Sequence, residues 1–219
     1  MSKIIIVGTL AFDTIETPFG KVERVLGGSA PFASLAAKTI DVECAIISIV
    51  GSDFPKKYID IFKDKGINVS QVQIVKDGKT FFWEGRYHEN MKSRDTLDTQ
   101  VNVLEKFNPV LPDNFKEIDV LVLGNLDPEV QIKVIEQFYK KPDFTMLDTM
   151  NFWMDNSLES LKKVIKKVDL ICINDEEVIQ LSGCDNLNEG VVSILTCLLY
   201  TSDAADEGLG VDLGGRRII

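Results

Sequence analysis

Short apolar runs alternate with amphipathic stretches along most of this chain. Uninterrupted runs of this length are typical of strands buried on both faces of a parallel sheet, and apolar residues at helical spacing predict helices between them. The strands are predicted at residues 4–8, 44–51, 119–125, 144–148 and 169–174. The helices are predicted at about residues 29–40, 55–65, 127–139, 157–168 and 176–181. This alternation indicates an α/β fold with a doubly wound, mostly parallel sheet.

Two segments, residues 14–26 and 71–104, break this rhythm because exposed, alternating stretches replace the buried runs. Such alternation predicts exposed strands, and in the second segment it places Phe81, Trp83 and Tyr87 on one face. We expect these strands to form a small sheet outside the main one, whose aromatic face acts as a lid. A decorative β-meander or a dimer surface is the alternative, and a lid that also forms a dimer combines the two roles.

Polar residues stand where several of the predicted strands end. They are Asp13, Ser52, Asp53, Asn125, Asp148 and Asn174. Ligands of doubly wound sheets bind beyond the carboxyl ends of the strands. The sequence therefore predicts a site for a hydroxylated small molecule at this edge. Asp13 has two interpretations, since an aspartate in this position is either a turn residue or an acceptor for substrate hydroxyl groups.

The diglycine Gly27-Gly28 precedes a predicted helix of small residues. Glycine lets the backbone turn sharply and leaves room for a ligand, and Ser29 followed by Pro31 predicts the cap and first turn of the helix. Exposed amides at a helix start favour anions and hydroxyl-rich ligands. An ordinary strand-to-helix turn also accounts for the two glycines, so the diglycine gains weight only from its place after Asp13.

Asn174 and Glu177 stand three residues apart, where a strand is predicted to pass into a helix. One interpretation is a helix cap, in which Asn174 caps the helix and Glu177 reaches back to it. The other is a binding site for phosphate and metal, in which Glu177 helps to hold hydrated Mg²⁺. His88, the single histidine, is expected on the polar face of an exposed strand, so we expect no histidine catalysis.

A net charge of -10 argues against a general affinity for nucleic acids or anionic membranes and favours a small-molecule partner. The 4 cysteines show no close-pair metal spacing, which is typical of reduced thiols in a cytosolic protein. The first apolar run is too short for a signal peptide or a membrane span, so we expect a soluble, cytoplasmic protein. The sequence after the first strand lacks Gly-x-Gly-x-x-Gly, and no Gly-Lys-Ser/Thr occurs, which disfavours dinucleotide binding and P-loop chemistry.

The pattern fails at the end of the chain. Residues 196–219 carry several glycines and acidic residues and show no sustained period of either kind. This stretch looks like translated adapter or vector sequence. We therefore expect residues 1–195 to form a partial domain and residues 196–219 to be a non-native tail.

Several stretches, in their order and spacing, resemble the ribokinase-like sugar and nucleoside kinases, the PfkB family. They are Val7-Gly8 with Asp13, Gly27-Gly28, residues 50–54, residues 66–69, and Asn174-x-x-Glu177 followed by Leu181-Ser182-Gly183. Residues 147–153 and 173–177 look like a bacterial sugar-kinase branch of that family. The resemblance runs from residue 3 to about residue 195. It implies a three-layer α/β/α ribokinase-like fold with a small β-sheet lid.

The resemblance implies ATP-dependent phosphorylation of a sugar or nucleoside hydroxyl group, with Mg²⁺. The lid strands would cover the substrate and exclude water, and would also allow a homodimer through the lid. On the phosphate and Mg²⁺ side the family uses the residues that match Asn174 and Glu177, with Glu177 reaching the metal through water. The predicted substrate-binding residues are Asp13, Gly27, Gly28 and Asn125.

Two departures from the family limit what the resemblance implies. Phe32 stands where many members carry a substrate-binding asparagine, so the sugar preference does not carry over. The Gly-Ala-Gly-Asp segment, which supplies the anion hole and the catalytic aspartate in the family, does not occur in this sequence. We therefore expect the N-terminal part of a carbohydrate kinase that is itself inactive. The alternatives are a nucleoside kinase of the same family and a non-catalytic sugar-binding or regulatory module.

Overall fold

The computed structural model describes residues 3–89, 91, 93–196 and 217–218. These residues fall into two compact units, Met1–Pro109 and Val110–Ile219, each of which contains parallel strands and helices. No helix in the described part of the chain is both long enough and apolar enough to span a membrane.

The first unit combines a parallel sheet with a second, smaller sheet. Its elements are β1 (Lys3–Val7), β2 (Ala11–Thr17), β3 (Gly20–Gly27), α1 (Ser29–Ala37), β4 (Glu43–Gly51), α2 (Lys56–Asp64), β5 (Ile67–Val75), β6 (Phe82–Tyr87) and β7 (Arg94–Gln100). β4 lies between β1 and β5 and pairs parallel with both. Residues 44–51 of this central strand are all buried, as their apolar run predicts.

The small sheet has the strand order β3, β2, β6, β7. β2 pairs antiparallel with β3 and parallel with β6, and β6 pairs antiparallel with β7. The prediction of a small sheet separate from the parallel strands is confirmed. Its hydrogen-bonding register decides which side chains share a face, because residues directly opposite each other on paired strands project to the same side.

The predicted bounds of the second lid segment are wrong at both ends. Residues 71–75 belong to β5 and pair with β4 in the parallel sheet. β5 has no second neighbour among the described strands, and a partly exposed edge strand alternates polar and apolar residues much as a lid strand does. At the other end β7 stops at Gln100, and a 3₁₀ turn at Asn102–Lys106 replaces the predicted strand.

The second unit continues the α/β alternation. Its elements are β8 (Val120–Leu123), α3 (Pro128–Ile135), β9 (Phe144–Asp148), α4 (Asn151–Asn156), α5 (Leu158–Ile165), β10 (Leu170–Cys172), α6 (Asp175–Ser182), α7 (Leu187–Ile194) and β11 (Arg217–Ile218). β9 pairs parallel with β8 and with β10. α3 ends at Ile135, before the predicted residue 139, because the next N–H groups, of Gln137 and Phe138, donate to the carbonyls three residues back and tighten the turn.

Most of the predicted non-native tail, residues 197–216 and 219, lies outside the described residues. Its nature stays a prediction. The two residues of β11 pair parallel with β10, with Leu170 opposite Arg217. The α/β organisation with a second small sheet is confirmed by the described residues.

Candidate functional site

Asp13 lies inside β2, and its carboxylate covers the backbone of Gly27 in the neighbouring strand. A Cβ atom added to Gly27 would lie 2.1 Å from the carboxylate carbon of Asp13, so position 27 has room only for glycine. The N–H of Gly28 donates a hydrogen bond to the same carboxylate. The expectation that Asp13 ends a strand is wrong, because β2 continues to Thr17.

The Asp13 carboxyl group holds its proton more tightly than an ordinary aspartate does. Burial raises its pKa from 3.8 to about 6, although the hydrogen bond from Gly28 acts in the opposite direction. Burial has this effect because it removes water that would solvate the charged form. Once ionised, the carboxylate is an under-solvated acceptor, and a ligand hydroxyl group that donates to it would replace the missing water.

Gly28 is the N-terminal cap of α1. Its φ of +92° and its contact with Thr9, whose carbonyl oxygen would lie 2.3 Å from an added Cβ, both require glycine. Ser29 is not the cap that the sequence predicts, because its hydroxyl lies 3.3 Å from the N–H of Thr9 and accepts from it. The N–H groups of Ser29 and Ala30 in turn donate to Thr9 at 3.1 Å. Thr9 therefore occupies two of the amides that were expected to face a ligand.

Trp83 lies directly across from Asp13 in the register between β2 and β6, so both side chains project from one face of the small sheet. The indole covers Gly85, where an added Cβ would lie 2.1 Å from Cη2 of the ring. Its Nε1–H donates to the hydroxyl of Thr96 at 3.3 Å. Tyr87 falls on the same face by the alternation of β6, as predicted. Phe81 just precedes β6, and its carbonyl accepts a hydrogen bond from β2.

Arg24 is a residue of this region that sequence reasoning missed. It sits in β3 at a φ of +48°, beside the register shift between β2 and β3. Its guanidinium group lies 4.3 Å from the ring centroid of Phe12, and Nη2 donates to Oδ2 of Asp53 at 3.1 Å. The other oxygen of Asp53 accepts from the N–H and the hydroxyl of Thr80 at 2.8 and 2.7 Å. Arg24 thus ties the strand that leads into the diglycine to the end of β4.

Asn174 and Glu177 form a complete capping box at the start of α6. Oδ1 of Asn174 accepts from the N–H of Glu177 at 3.0 Å, and the Glu177 carboxylate accepts from the N–H of Asn174 at 2.9 Å. The cap interpretation of this motif is confirmed by the geometry. It does not exclude the second interpretation, because a carboxylate has further lone pairs.

Asp148, at the end of β9, is electrostatically coupled to Glu177. Burial and then the charge of Glu177 raise the pKa of Asp148 to about 6, against the hydrogen bonds from the N–H groups of Asn125 and Thr149. Burial and the same two carboxylates also raise the pKa of the Cys172 thiol. The hydroxyl of Thr149 is buried without a hydrogen-bond partner among the described residues. A cation would stabilise this group of side chains.

The side chain of Asn125 forms its hydrogen bonds with residues of the second unit. Its Oδ1 accepts from the indole N–H of Trp153 at 2.7 Å, and its Nδ2 donates to the sulfur of Met150 at 2.9 Å. Both partners belong to the start of α4. The predicted role of Asn125 in substrate binding stays a prediction, whereas its contact with α4 is a structural one.

The predicted residues thus fall into two groups, one in each unit. In the first unit the structure brings together Asp13, Gly27, Gly28 and Trp83. In the second unit Asn174 and Glu177 lie together with Asp148. His88 is exposed and pairs with Asp95, as expected of a surface residue. Within the residues that the structure describes, no three His, Cys, Asp or Glu side chains form a metal cluster.

Comparison with known proteins identifies kinases. A curated relative, described as a cytidine kinase of Thermococcus kodakarensis, is 23% identical over 193 residues, which cover 86% of this chain and 67% of the relative. No family model matches the chain.

Solved structures of kinases share the fold of this chain. A nucleoside kinase of Methanocaldococcus jannaschii, described as an archaeal member of the ribokinase family, gives a TM-score of 0.66 at 20% identity, with 88% of this chain and 68% of that chain covered. A ribokinase of Cryptococcus neoformans var. grubii serotype A in complex with ADP gives a TM-score of 0.71 at 14% identity, with 90% and 68% covered. The resemblance suggested by the motifs is therefore confirmed: the chain has the ribokinase-like fold, which it shares with sugar and nucleoside kinases of the ribokinase (PfkB) family.

Proposed function

We propose that this chain is part of a kinase that transfers the γ-phosphoryl group of ATP to a hydroxyl group of a sugar. The observation that carries the proposal is the Asp13 carboxylate, partly buried over Gly27 and under-solvated when ionised. Such a group selects ligands that donate hydrogen bonds, and sugars offer adjacent hydroxyl groups to both of its oxygens. Asp13 would orient the acceptor alcohol, and Gly27 and Gly28 would let the backbone approach it closely.

The lid residues serve this function by excluding water. Phosphoryl transfer needs little covalent help from a protein, because it depends on positioning and on stabilising charge. Water in the site would compete with the acceptor alcohol for the phosphoryl group. We assign that exclusion to the small sheet, with the face that carries Trp83 and Tyr87 turned to the substrate and Phe81 at its base.

The carboxylates of the second unit fit a hydrated Mg²⁺. Asp148 and Glu177 supply the oxygen ligands that Mg²⁺ prefers. The hydroxyl of Thr149, which has no hydrogen-bond partner in the described part of the chain, would add a further oxygen. Two protein carboxylates acting through retained waters suit this ion, which dehydrates reluctantly. When bound with ATP, Mg²⁺ neutralises charge on the phosphates. Asn174, whose Oδ1 is used in the cap, would donate from Nδ2 to a phosphate oxygen.

We further propose that the chain binds without turning over, because its sequence contains no Gly-Ala-Gly-Asp segment to supply the catalytic aspartate. Two alternatives remain in view. A nucleoside kinase is favoured by relatives described as cytidine and nucleoside kinases. A sugar-binding or regulatory module would use the same Asp13 group without ATP.

Calorimetry and a phosphotransfer assay on the full chain test these proposals. We expect ribose, fructose, ribitol or a nucleoside to bind, binding to be lost in Asp13→Ala, and no phosphorylated product to form. Asp64→Asn, at an exposed position of α2, is the control and should bind as the unmodified chain does. Failure of every ligand to bind would overturn the kinase assignment. Product formation would overturn the proposed inactivity, and sugar binding that ATP leaves unchanged would support the regulatory module.

We propose that the partner is a second copy of this chain and that the two copies associate through their small sheets. The β2–β3 hairpin exposes Phe19 at 86% and Val22 at 50%, and Leu97 in β7 is 43% exposed. Apolar side chains concentrated on one exposed sheet are typical of association surfaces. Light scattering should give a dimer mass for the unmodified chain and a monomer mass for Phe19→Asp. A monomer at all concentrations would contradict this proposal.

A further inference from the structure

β5 forms an edge of the parallel sheet, and among the described strands it pairs with β4 alone. A strand with one neighbour points the N–H and C=O groups of every second residue outward, where they can pair with another strand. Sheet edges are commonly protected by charges, proline or a bulge. A bulge interrupts the start of β5, but the pairing is regular over residues 71–75, which contain no charged residue and no proline. This stretch is therefore open to a further strand.

One face of β5 forms an apolar groove with α2. The register places Ile67, Val72 and Ile74 on the same side of the sheet, because each lies across from an even-numbered residue of β4. Ile59 and Lys63, one helical turn apart in α2, line the groove with them, and its volume is about 500 Å³. Ile74 is 64% exposed. A strand added beside β5 would place alternate side chains against this apolar surface.

Lysines surround this edge of the sheet. Residues 56–79, which contain α2 and β5, carry 6 lysines and 3 aspartates, whereas the whole chain has a net charge of -10. All of these lysines are exposed, and none forms an ion pair with a described residue. They are Lys56, Lys57, Lys63, Lys65, Lys76 and Lys79. Because β5 itself is uncharged, the positive charge lies beyond its two ends and on the helix beside it.

We propose that β5 is a docking site for an extended acidic segment of another protein, which adds to the sheet as a strand beside residues 71–75. Backbone hydrogen bonds to the free edge would hold the segment, and its alternate apolar side chains would enter the groove between α2 and β5. Its carboxylates would face Lys63 in the groove and Lys76 just beyond the strand. A second copy of this chain fits less well, because pairing two β5 strands would bring two lysine-rich surfaces together.

Fluorescence anisotropy of a labelled synthetic peptide tests the proposal on the full chain. The peptide alternates valine and threonine and carries glutamates at both ends. One control peptide has lysines in place of the glutamates, and another has a central proline, which cannot donate a hydrogen bond to a neighbouring strand. We expect the glutamate peptide to bind and both controls to bind at least about tenfold more weakly. Salt should weaken the binding, because the lysines are exposed.

Variants of the chain locate the bound peptide. Lys63→Gln/Lys76→Gln should weaken the binding of the glutamate peptide by about three- to tenfold, as the loss of two exposed ion pairs would. Lys163→Gln/Lys166→Gln is the matched control, since it removes the same charge from exposed positions of the second unit and should leave the affinity unchanged. Ile74→Glu should weaken binding further, because it adds a carboxylate to the groove. Bound peptide should also slow amide hydrogen exchange in residues 71–75.

Each contrary result overturns a stated part of the proposal. Equal binding of the lysine peptide would overturn the acidic chemistry, and equal binding of the proline peptide would overturn strand addition. No binding of the glutamate peptide, or slowed exchange only outside residues 71–75, would overturn the docking site. Slow exchange of these residues without peptide that is lost on dilution would assign the edge to a second copy of the chain. If a variant does not fold, as circular dichroism would show, the three peptides and the exchange pattern of the unmodified chain decide the question.

Discussion

The carboxylate of Asp13 lies against Gly27 so closely that a methyl group at position 27 has no room. We predict that Gly27→Ala displaces the carboxylate and destabilises the protein by about 1–3 kcal/mol, as overpacking does elsewhere. The substitution should also weaken the binding of any hydroxylated ligand, because the displaced carboxylate no longer accepts in the same place. Urea unfolding and calorimetry measure the two effects.

The double variant Asp13→Ala/Gly27→Ala provides the matched control for this collision. With the carboxylate removed, the added methyl group has nothing to displace, so the second substitution should cost much less than it does alone. Strictly additive free energies would show that the two side chains do not compete for space.

Asp13 should make the protein less stable as pH rises. Its folded-state pKa of about 6 lies above the ordinary 3.8, so the folded state holds its proton more tightly than the unfolded chain does. The stabilisation is complete below pH 4 and is lost as pH rises through about 6. In Asp13→Asn this loss is absent, and at neutral pH we expect the variant to be more stable by about 1–2 kcal/mol, allowing for the partial exposure of the carboxyl.

The stability difference between Asp13→Asn and the unmodified chain is the quantity to follow, by urea unfolding between pH 4 and pH 8. The difference should be small at the acid end and should grow through the raised pKa. A constant difference would contradict the predicted titration. A gain in stability together with lost ligand binding would identify Asp13 as a residue kept for function at the expense of stability.

Arg24 combines an unfavourable backbone conformation with favourable side-chain contacts. Arg24→Ala keeps the φ of +48° but loses the ring of Phe12 and the ion pair with Asp53, and should cost about 1–2 kcal/mol. Arg24→Gly loses the same contacts but relieves the backbone, and should be more stable than Arg24→Ala by about 1 kcal/mol. Thermal unfolding of both variants tests the pair.

Asp53→Asn tests the ion pair without changing the backbone at Arg24. Asp53→Asn keeps an oxygen that accepts from Thr80 but removes the charge that faces Arg24. We expect it to cost less than about 1 kcal/mol, because the Arg24 side chain is 53% exposed. If Arg24→Ala is as stable as Arg24→Gly, the positive φ of Arg24 carries no strain.

The sequence predicts the parallel strands well because each is a buried run that leaves little choice of structure. β4 is the plainest case, since residues 44–51 are apolar apart from Ser48 and Gly51 and all are buried. The sequence predicts the wrong sheet for residues 71–75, because an edge strand is exposed on one side and shows the same alternation as the lid. Period alone does not say which sheet such a strand joins.

The site was predictable in its motifs and unpredictable in its contacts. The spacing of Asn174 and Glu177 encodes a capping box locally, so its geometry followed from sequence. The contact of Asp13 with Gly27 joins two strands, and the position of Arg24 depends on a register shift, so neither leaves a local signal. Ser29 failed as a cap for the same reason, because Thr9 approaches it from twenty residues away.

The two roles of Glu177 are separable by substitution. Glu177→Gln keeps a side-chain oxygen that accepts from the N–H of Asn174, so the capping box persists. Stability should not fall below that of the unmodified chain, because the substitution also removes the repulsion with Asp148. Glu177→Ala removes this acceptor and should cost about 1–2 kcal/mol, as loss of a helix cap does. Thermal unfolding of the two variants measures the structural role.

The charge of Glu177 acts on Asp148 and, in the proposed function, on Mg²⁺. Tripolyphosphate with Mg²⁺ should raise the unfolding temperature of the unmodified chain, because a ligand of the folded state stabilises it. In Glu177→Gln the cap survives but the carboxylate does not, so this increase should shrink. The unfolding temperature without ligand should not fall, because the repulsion between Glu177 and Asp148 is removed as well. An increase as large as that of the unmodified chain would leave Glu177 a helix cap and nothing more, and the acidic group around Asp148 would have to hold the cation without it.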